Sequence, residues 1–243
     1  MMRITITAPD DTIVMDGDGS LDHDLTILKD GVSGWYSTPA VREAGLDRPQ
    51  QDGCYWPSRL TQPGRTVSIH VLEHAISSVQ AALMSQRLCA LMGHALTLTV
   101  EDQLGARTCT CWLADDPAAG MLVTQAAFEC TLVLYCPDPY KYGEWIWQTP
   151  QSGRLHLANL GTAPTWIRFR ARSHITTLYA VWDDAEIEWS GDATALTLDT
   201  RDMIPSSGQV TVDWALPVQP GSTSITIQTN CSTLDVGIRP AWR

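Results

Sequence analysis

Apolar residues in this chain recur mostly at every second position. Ile4 to Thr7 and Leu25 to Lys29 alternate apolar and polar side chains, bounded by Asp and Gly. Thr66 to Ile69 and Leu96 to Val100 repeat the pattern, and Arg107 to Leu113 and Ala127 to Cys136 follow. A period of two sends neighbouring side chains to opposite faces, so each run predicts a half-buried strand. Asp102 to Gly105 reads as a hairpin connection between the 96–100 and 107–113 runs. Asp115-Asp116-Pro117 is a polar turn ahead of 127–136.

One segment breaks the period. Glu73 to Met92 holds no Gly or Pro and is dominated by Ala, Leu, Met and Gln, good helix formers. Ile76, Val79 and Leu83 fall at i, i+3 and i+7, and Met84, Leu88 and Leu91 make a second stripe. The spacing predicts a single helix over this segment, ended by Gly93. Two stripes imply packing on a sheet, with either a contact to a neighbour or simply a broad core face for the rest.

The second half reads as short strands throughout: 154–157, 165–171, 177–182, 185–189, 196–198, 210–214 and 224–228. Turns at Gly161, Asp183-Asp184, Gly191-Asp192, Ser207-Gly208 and Pro220-Gly221 separate them. Regular short strands with such punctuation predict a β-sandwich. Cys136-Pro137-Asp138-Pro139-Tyr140-Lys141-Tyr142-Gly143 marks the junction between two domains, 1–142 and 143–243. The expected fold class is therefore mostly β with one α-helix, in two domains.

Composition and charge then narrow the function. The net charge is −11, with 8 Lys/Arg against 16 Asp/Glu before Pro137 and 8 against 11 from there on. An acidic chain does not wrap nucleic acid, which needs a basic face, nor dock on anionic membranes. Acidic walls do suit DNA sliding past without adhering. The run from Asp16 to Asp24, with strand-borne Asp and Glu of the first domain, is expected to line such a surface. Ten Trp stand against two Phe, which points to interfaces as well as cores. The start lacks an apolar leader core, and no apolar run is long enough to span a bilayer. Seven Cys without a CxxC pair read as reduced thiols, with Cys109 and Cys111 on one strand face.

Chemical motifs fall short of their templates. Asp16, Asp18, Ser20, Asp22 and Asp24 resemble a calcium loop, but Leu21 replaces the required Gly and Ile27 the bidentate Glu. His70 and His74 are spaced like zinc ligands, but Glu73 is misplaced for a metalloprotease base. Glu186 and Glu188 suggest a glycosidase pair, yet they alternate with Ile187 and Trp189 as one wet strand face would. No nucleophile elbow, Walker loop or dinucleotide fingerprint occurs. The chain is expected to be no enzyme and to need no cofactor. Tyr140, Tyr142, Trp145 and Trp147 cluster at the junction, where packing between domains or against a neighbour is favoured over stacking on sugars.

Three stretches together resemble the distal tail protein family of siphophages. They are Gly34-Trp35-Tyr36-Ser37-Thr38-Pro39 with Asp52 to Pro57 and Gly64 to Val67, then Asp138-Pro139-Tyr140-Lys141-Tyr142, then Asn159-Leu160-Gly161-Thr162-Ala163-Pro164. The resemblance spans nearly the whole chain, departing at Trp166-Ile167, where the family often carries Pro. It implies a first domain like a tail-tube protein, a β-sandwich or barrel with a flanking helix and an extended hairpin. It implies a second, outward-facing domain with a galectin-like fold. Six copies would form a ring in the virion, linking the tail tube to the baseplate or tail tip. Tail tube, tape measure, hub and receptor-binding proteins would be its partners, and DNA would pass through. The alternative is a β-sandwich module that binds a host cell-surface glycan. Interface candidates are Ile76, Val79, Leu83, Met84, Leu88, Leu91, Tyr140, Tyr142, Trp145 and Trp147.

Overall fold

The alternating runs of the first half become the strands of a barrel in a computed structural model that describes residues 2–17, 24–43, 45–117 and 127–243. The chain divides into two units, Met1–Lys141 and Tyr142–Arg243. The first carries β1 (Arg3–Thr7), β2 (Thr12–Asp16), β3 (Leu25–Ser33), β4 (Leu46–Asp47), β5 (Cys54–Tyr55) and β6 (Arg65–His74). Helix α1 (Ser78–Ala90), β7 (Leu96–Asp102), β8 (Gly105–Leu113) and β9 (Ala127–Cys136) follow, with β10 (Lys141–Tyr142) at the boundary.

Seven strands close in the order β8-β7-β1-β2-β3-β6-β9, the last pairing back to the first. All pairs are antiparallel except β2 with β3, which join Met15 to Leu25 in parallel. Every second residue points inward. Ile4, Ile6, Ile13, Met15, Leu98 and Leu132 are fully buried, so the barrel is a packed core and not a pore. The 102–105 connection is a hairpin turn, with Asp102 opposite Gly105.

The helix is shorter than the composition predicts. The ladder between β6 and β9 runs on to Glu73↔Phe128 and His74↔Ala127, which holds the start of the expected helix in extended backbone. Helical geometry begins after Ser77, whose Oγ accepts a hydrogen bond from the backbone N–H of Gln80 at 3.3 Å. Ala81, Met84, Leu88 and Leu91 are buried in the barrel's core cluster. Arg87 fastens the helix from its polar side, donating to Asp11 and to Asp24 at 2.9 Å. No helix among the described residues is long and apolar enough to cross a membrane.

The second unit holds β11 (Ile146–Gln148), β12 (Arg154–Asn159), β13 (Ile167–Ala171), β14 (Ile175–Trp182) and β15 (Ala185–Ala193). It continues with β16 (Leu196–Asp199), β17 (Gln209–Trp214), β18 (Gly221–Thr229), β19 (Leu234–Ile238) and β20 (Ala241–Trp242). One sheet runs β11-β19-β13-β16 and the other β12-β18-β14-β15-β17. Side chains of both enclose one apolar cluster, including Phe169, Leu178, Ile187 and Val236. Trp182 and Trp189 sit inside it because each indole N–H finds an acceptor: Leu216 O at 3.0 Å and Ser207 O at 2.7 Å.

Candidate assembly interface

Two of the motifs that carry the family resemblance meet on one buried side chain. Arg65, only 1% exposed, donates through Nη1 to the carbonyls of Gly34 and Trp35 at 2.7 and 2.9 Å, and also to that of Ser37. Its Nε donates to Pro139 O at 3.0 Å. Lys141 completes the knot: its Nζ donates to Trp35 O at 3.0 Å and stands 5.6 Å from the Trp35 ring centre. Burial, then the neighbouring Arg65 charge, pushes the Lys141 amine down to about 8. Gly34 has φ +80, and a Cβ there would meet Thr66 O at 1.9 Å, so only glycine allows the chain to leave β3 at this point.

What the knot pins is the base of an arm, residues 34–64. Its two limbs are tied by polar contacts: Gln62 Nε2 to Pro39 O at 2.8 Å, Arg42 N to Thr61 O at 2.9 Å, and Thr61 N to Glu43 Oε2 at 2.8 Å. Beyond them β4 pairs with β5, Leu46 opposite Tyr55. The arm has almost no core of its own. Leu46, Tyr55 and Leu60 are exposed, and Trp56 is 82% exposed. A lone two-stranded hairpin is marginal in water, and a cluster of exposed apolar side chains marks a contact surface. Residue-by-residue patterning misses this surface, because the arm lacks the alternation that flags a strand. The signal available was the Gly, Pro and aromatic content of 34–57.

The helix supplies a second such surface. Of the two predicted stripes, Met84, Leu88 and Leu91 face the core. Val79 and Leu83 are exposed at 68% and 56%. At 100° per residue they lie on the side of α1 opposite Ala81 and Leu88. Ile76, 95% exposed, precedes the helix cap and stands apart from the helical stripe.

The junction aromatics divide differently. Tyr140 lies within the first unit, one residue before its end, its backbone N–H held by Asp138 Oδ1 at 3.0 Å. Within the second unit Trp145 and Trp147 stack at 5.2 Å. The guanidiniums of Arg168 and Arg170 lie over them at 4.4 and 4.0 Å. Arg239 stands 5.3 Å from the Tyr142 ring and 5.7 Å from that of Trp145. Asp199 and Asp235 bind Arg168 and Arg170 in turn. These rings are half-buried under charge-compensated cations, which leaves little free ring face for a sugar.

The remaining chemical candidates are dispersed. Glu186 and Glu188 line the outer face of the five-stranded sheet while Ile187 and Trp189 fill its core, as the alternation requires. His70 sits on exposed β6 surface, its Nε2 3.7 Å from Glu129. In the acidic run, residues 18–23 lie outside the described residues, and with them most of the calcium-like loop. Asp16 accepts from Gly17 N at 2.8 Å and Asp24 from Val14 N at 2.8 Å. The described residues contain no metal-type cluster of three or more ligands.

The third motif shows a structural role as well. Asn159 donates to Ala163 O at 2.8 Å and Val218 O at 3.3 Å, and accepts from Gly161 N at 3.0 Å, closing the loop onto itself.

No family model matches the sequence, and no curated protein does. Solved structures match over the whole chain. The Dit (gp 19.1) protein of phage SPP1 is described as a paradigm of hub adsorption apparatus in Gram-positive infecting phages. It superposes with a TM-score of 0.71 at 14% identity, covering 99% of each chain. A chain of the phage P2 baseplate in its activated conformation with Ca gives 0.58 at 10% identity, covering 98% of each. The same baseplate with Sr gives 0.57 at 11%. The chain thus has the fold of phage hub and baseplate proteins, barrel and sandwich in one polypeptide, as the resemblance to distal tail proteins implies.

Proposed function

We propose that this chain is a structural subunit of a phage tail tip, assembling as a hexameric ring that joins the tail tube to the baseplate and carries adsorption proteins. The observation that carries the reading is the arm: an apolar hairpin with no core, anchored on Arg65, in a fold shared along its whole length with a hub protein. A ring of identical copies needs two different surfaces that fit each other and close by rotation. The arm, with Leu46, Tyr55 and Trp56, is one, and the Val79–Leu83 face of α1 is the other. The barrel interior is filled, so a DNA channel would be enclosed by the ring of copies and not by any one barrel. The excess of acidic residues in the first half suits the wall of such a channel. Tail tube, tape measure and receptor-binding proteins are the partners this role requires.

Light scattering on the purified protein tests the reading: a hexamer that dissociates on Trp56→Asp supports it. A strict monomer at high concentration, with the tube and hub proteins present, rejects it.

A second reading, glycan binding, has one observation in its favour. Trp214 is 71% exposed on the outer face of the five-stranded sheet, directly across from Glu186. An exposed indole beside carboxylates is the chemistry of a sugar platform. A glycan array on wild type and Trp214→Ala separates this reading from an assembly-only role.

A further inference from the structure

Three thiols converge where the barrel closes. The β6–β9 pairing extends over the full length of both strands, from Arg65↔Cys136 to His74↔Ala127. The closing β8–β9 seam has only Trp112↔Tyr135 and Leu113↔Leu134, with Ala114 N donating to Val133 O at 2.8 Å. Immediately past this short ladder, Cys109 and Cys111 of β8 and Cys136 of β9 are buried and unbridged. Continuing the antiparallel register places Cys111 across from Cys136, and Cys109 Sγ approaches Cys136 Sγ to 3.1 Å. Arg65 neighbours Cys136 on the adjoining strand, and its Nη2 is buried without a hydrogen-bond partner.

We propose that Cys109 and Cys136 are a redox pair that closes into a disulfide across the barrel seam when the protein meets a peroxide oxidant. Cys136 is the nucleophile. Its thiol is pushed down by hydrogen bonds from Cys109 and Cys111, and further by the Arg65 charge. Its thiolate attacks hydrogen peroxide, forming an S–O bond, breaking the O–O bond and releasing hydroxide. The Cys109 sulfur then attacks the sulfenic acid. The S–S bond forms, the S–O bond breaks, and the departing oxygen takes the Cys109 proton and leaves as water. Overall one thiolate, one thiol and one peroxide give one disulfide, one water and one hydroxide. Peroxide would reach the thiols by transient opening of the short seam. The cross-link reinforces the barrel where its ladder is shortest, and it forms whether or not copies assemble.

The test uses the full chain with the exposed Cys54 replaced by Ser. It is treated with hydrogen peroxide under native conditions, then denatured, alkylated and mapped. The expected result is a peptide linking Cys109 to Cys136 and a melting temperature raised by about 5–10 °C. Dithiothreitol reverses both, and Cys109→Ala or Cys136→Ala removes them. The proposal is overturned if Cys109, Cys111 and Cys136 all alkylate after peroxide treatment. It is equally overturned by stoichiometric zinc on the three thiols of the purified protein. Peptide mapping of the parent decides the matter even if a cysteine variant fails to fold.

Discussion

Arg87 grips both carboxylate oxygens of Asp11, its Nε and Nη2 each 2.9 Å from one of them. The guanidinium holds the Asp11 carboxyl below the usual carboxylate range. The pair ties α1 to the turn between β1 and β2, while Nη1 reaches Asp24 at 2.9 Å just before β3. One side chain thus fixes the helix to two separate points on the barrel rim.

A pH dependence follows from that fork. Asp11 has a lower pKa folded than unfolded, so its contribution is present above the unfolded value, near pH 4, and is lost as pH falls through the folded one. Asp11→Asn should cost about 1 kcal/mol at pH 7, a partly exposed bidentate pair being worth no more. The difference from wild type should shrink as the pH is taken down to about 3, below the unfolded value. Urea melts at the two pH values check both ends, and an equal cost at both would remove the pair as the cause.

Arg65 is a different case, a buried cation held by carbonyls. Arg65→Ala leaves those acceptors dry and empty, and we expect a loss of about 3 kcal/mol. Arg65→Lys should recover only part, since an ammonium lacks the planar fork that reaches both the arm base and Pro139. Denaturant midpoints measure the stability, and proteolysis of the 34–64 arm should accelerate in parallel.

The exposed helix face separates folding from assembly. Val79→Asp with Leu83→Asp should leave the thermal melt of the subunit within about 0.5 kcal/mol, because neither side chain is in the core. The same pair should abolish the proposed ring, read as a loss of mass by light scattering. Assembly that survives both substitutions would remove this face from the interface.

Trp147 lies across the strand from Gly237, and a Cβ on that glycine would stand 2.6 Å from the indole ring. Gly237→Ala should therefore lift Trp147 off the sheet and destabilise the second unit by about 1–3 kcal/mol. Tryptophan fluorescence should shift as the ring loses its place under Arg170.

How much of this was legible beforehand depends on range. Strands such as β1, β7 and β9 announce themselves by alternation, because a half-buried strand constrains every second residue locally. The same holds for the wet face of Glu186 and Glu188, and for the buried stripe Met84, Leu88, Leu91. The helix starts later than its composition predicts, because composition knows nothing of the β9 ladder that keeps Glu73 and His74 extended. β2, β11 and β19 escape such a reading, although β2 and β19 have the same five residues as β1 and β2 is flanked by Asp11 and Gly17. Motifs placed the chain near distal tail proteins, but their purpose was invisible.

Amino-acid order alone determined most of the strands, that one helix lies before Gly93, and that the chain is acidic and rich in Trp. Those are properties of neighbours along the backbone. Only the tertiary structure decided that Arg65, Trp35 and Lys141 form one knot, that three distant thiols share a seam, and which helix face is left bare. Such relations are made by pairing strands far apart in the chain, and nothing in a residue's own neighbourhood encodes them.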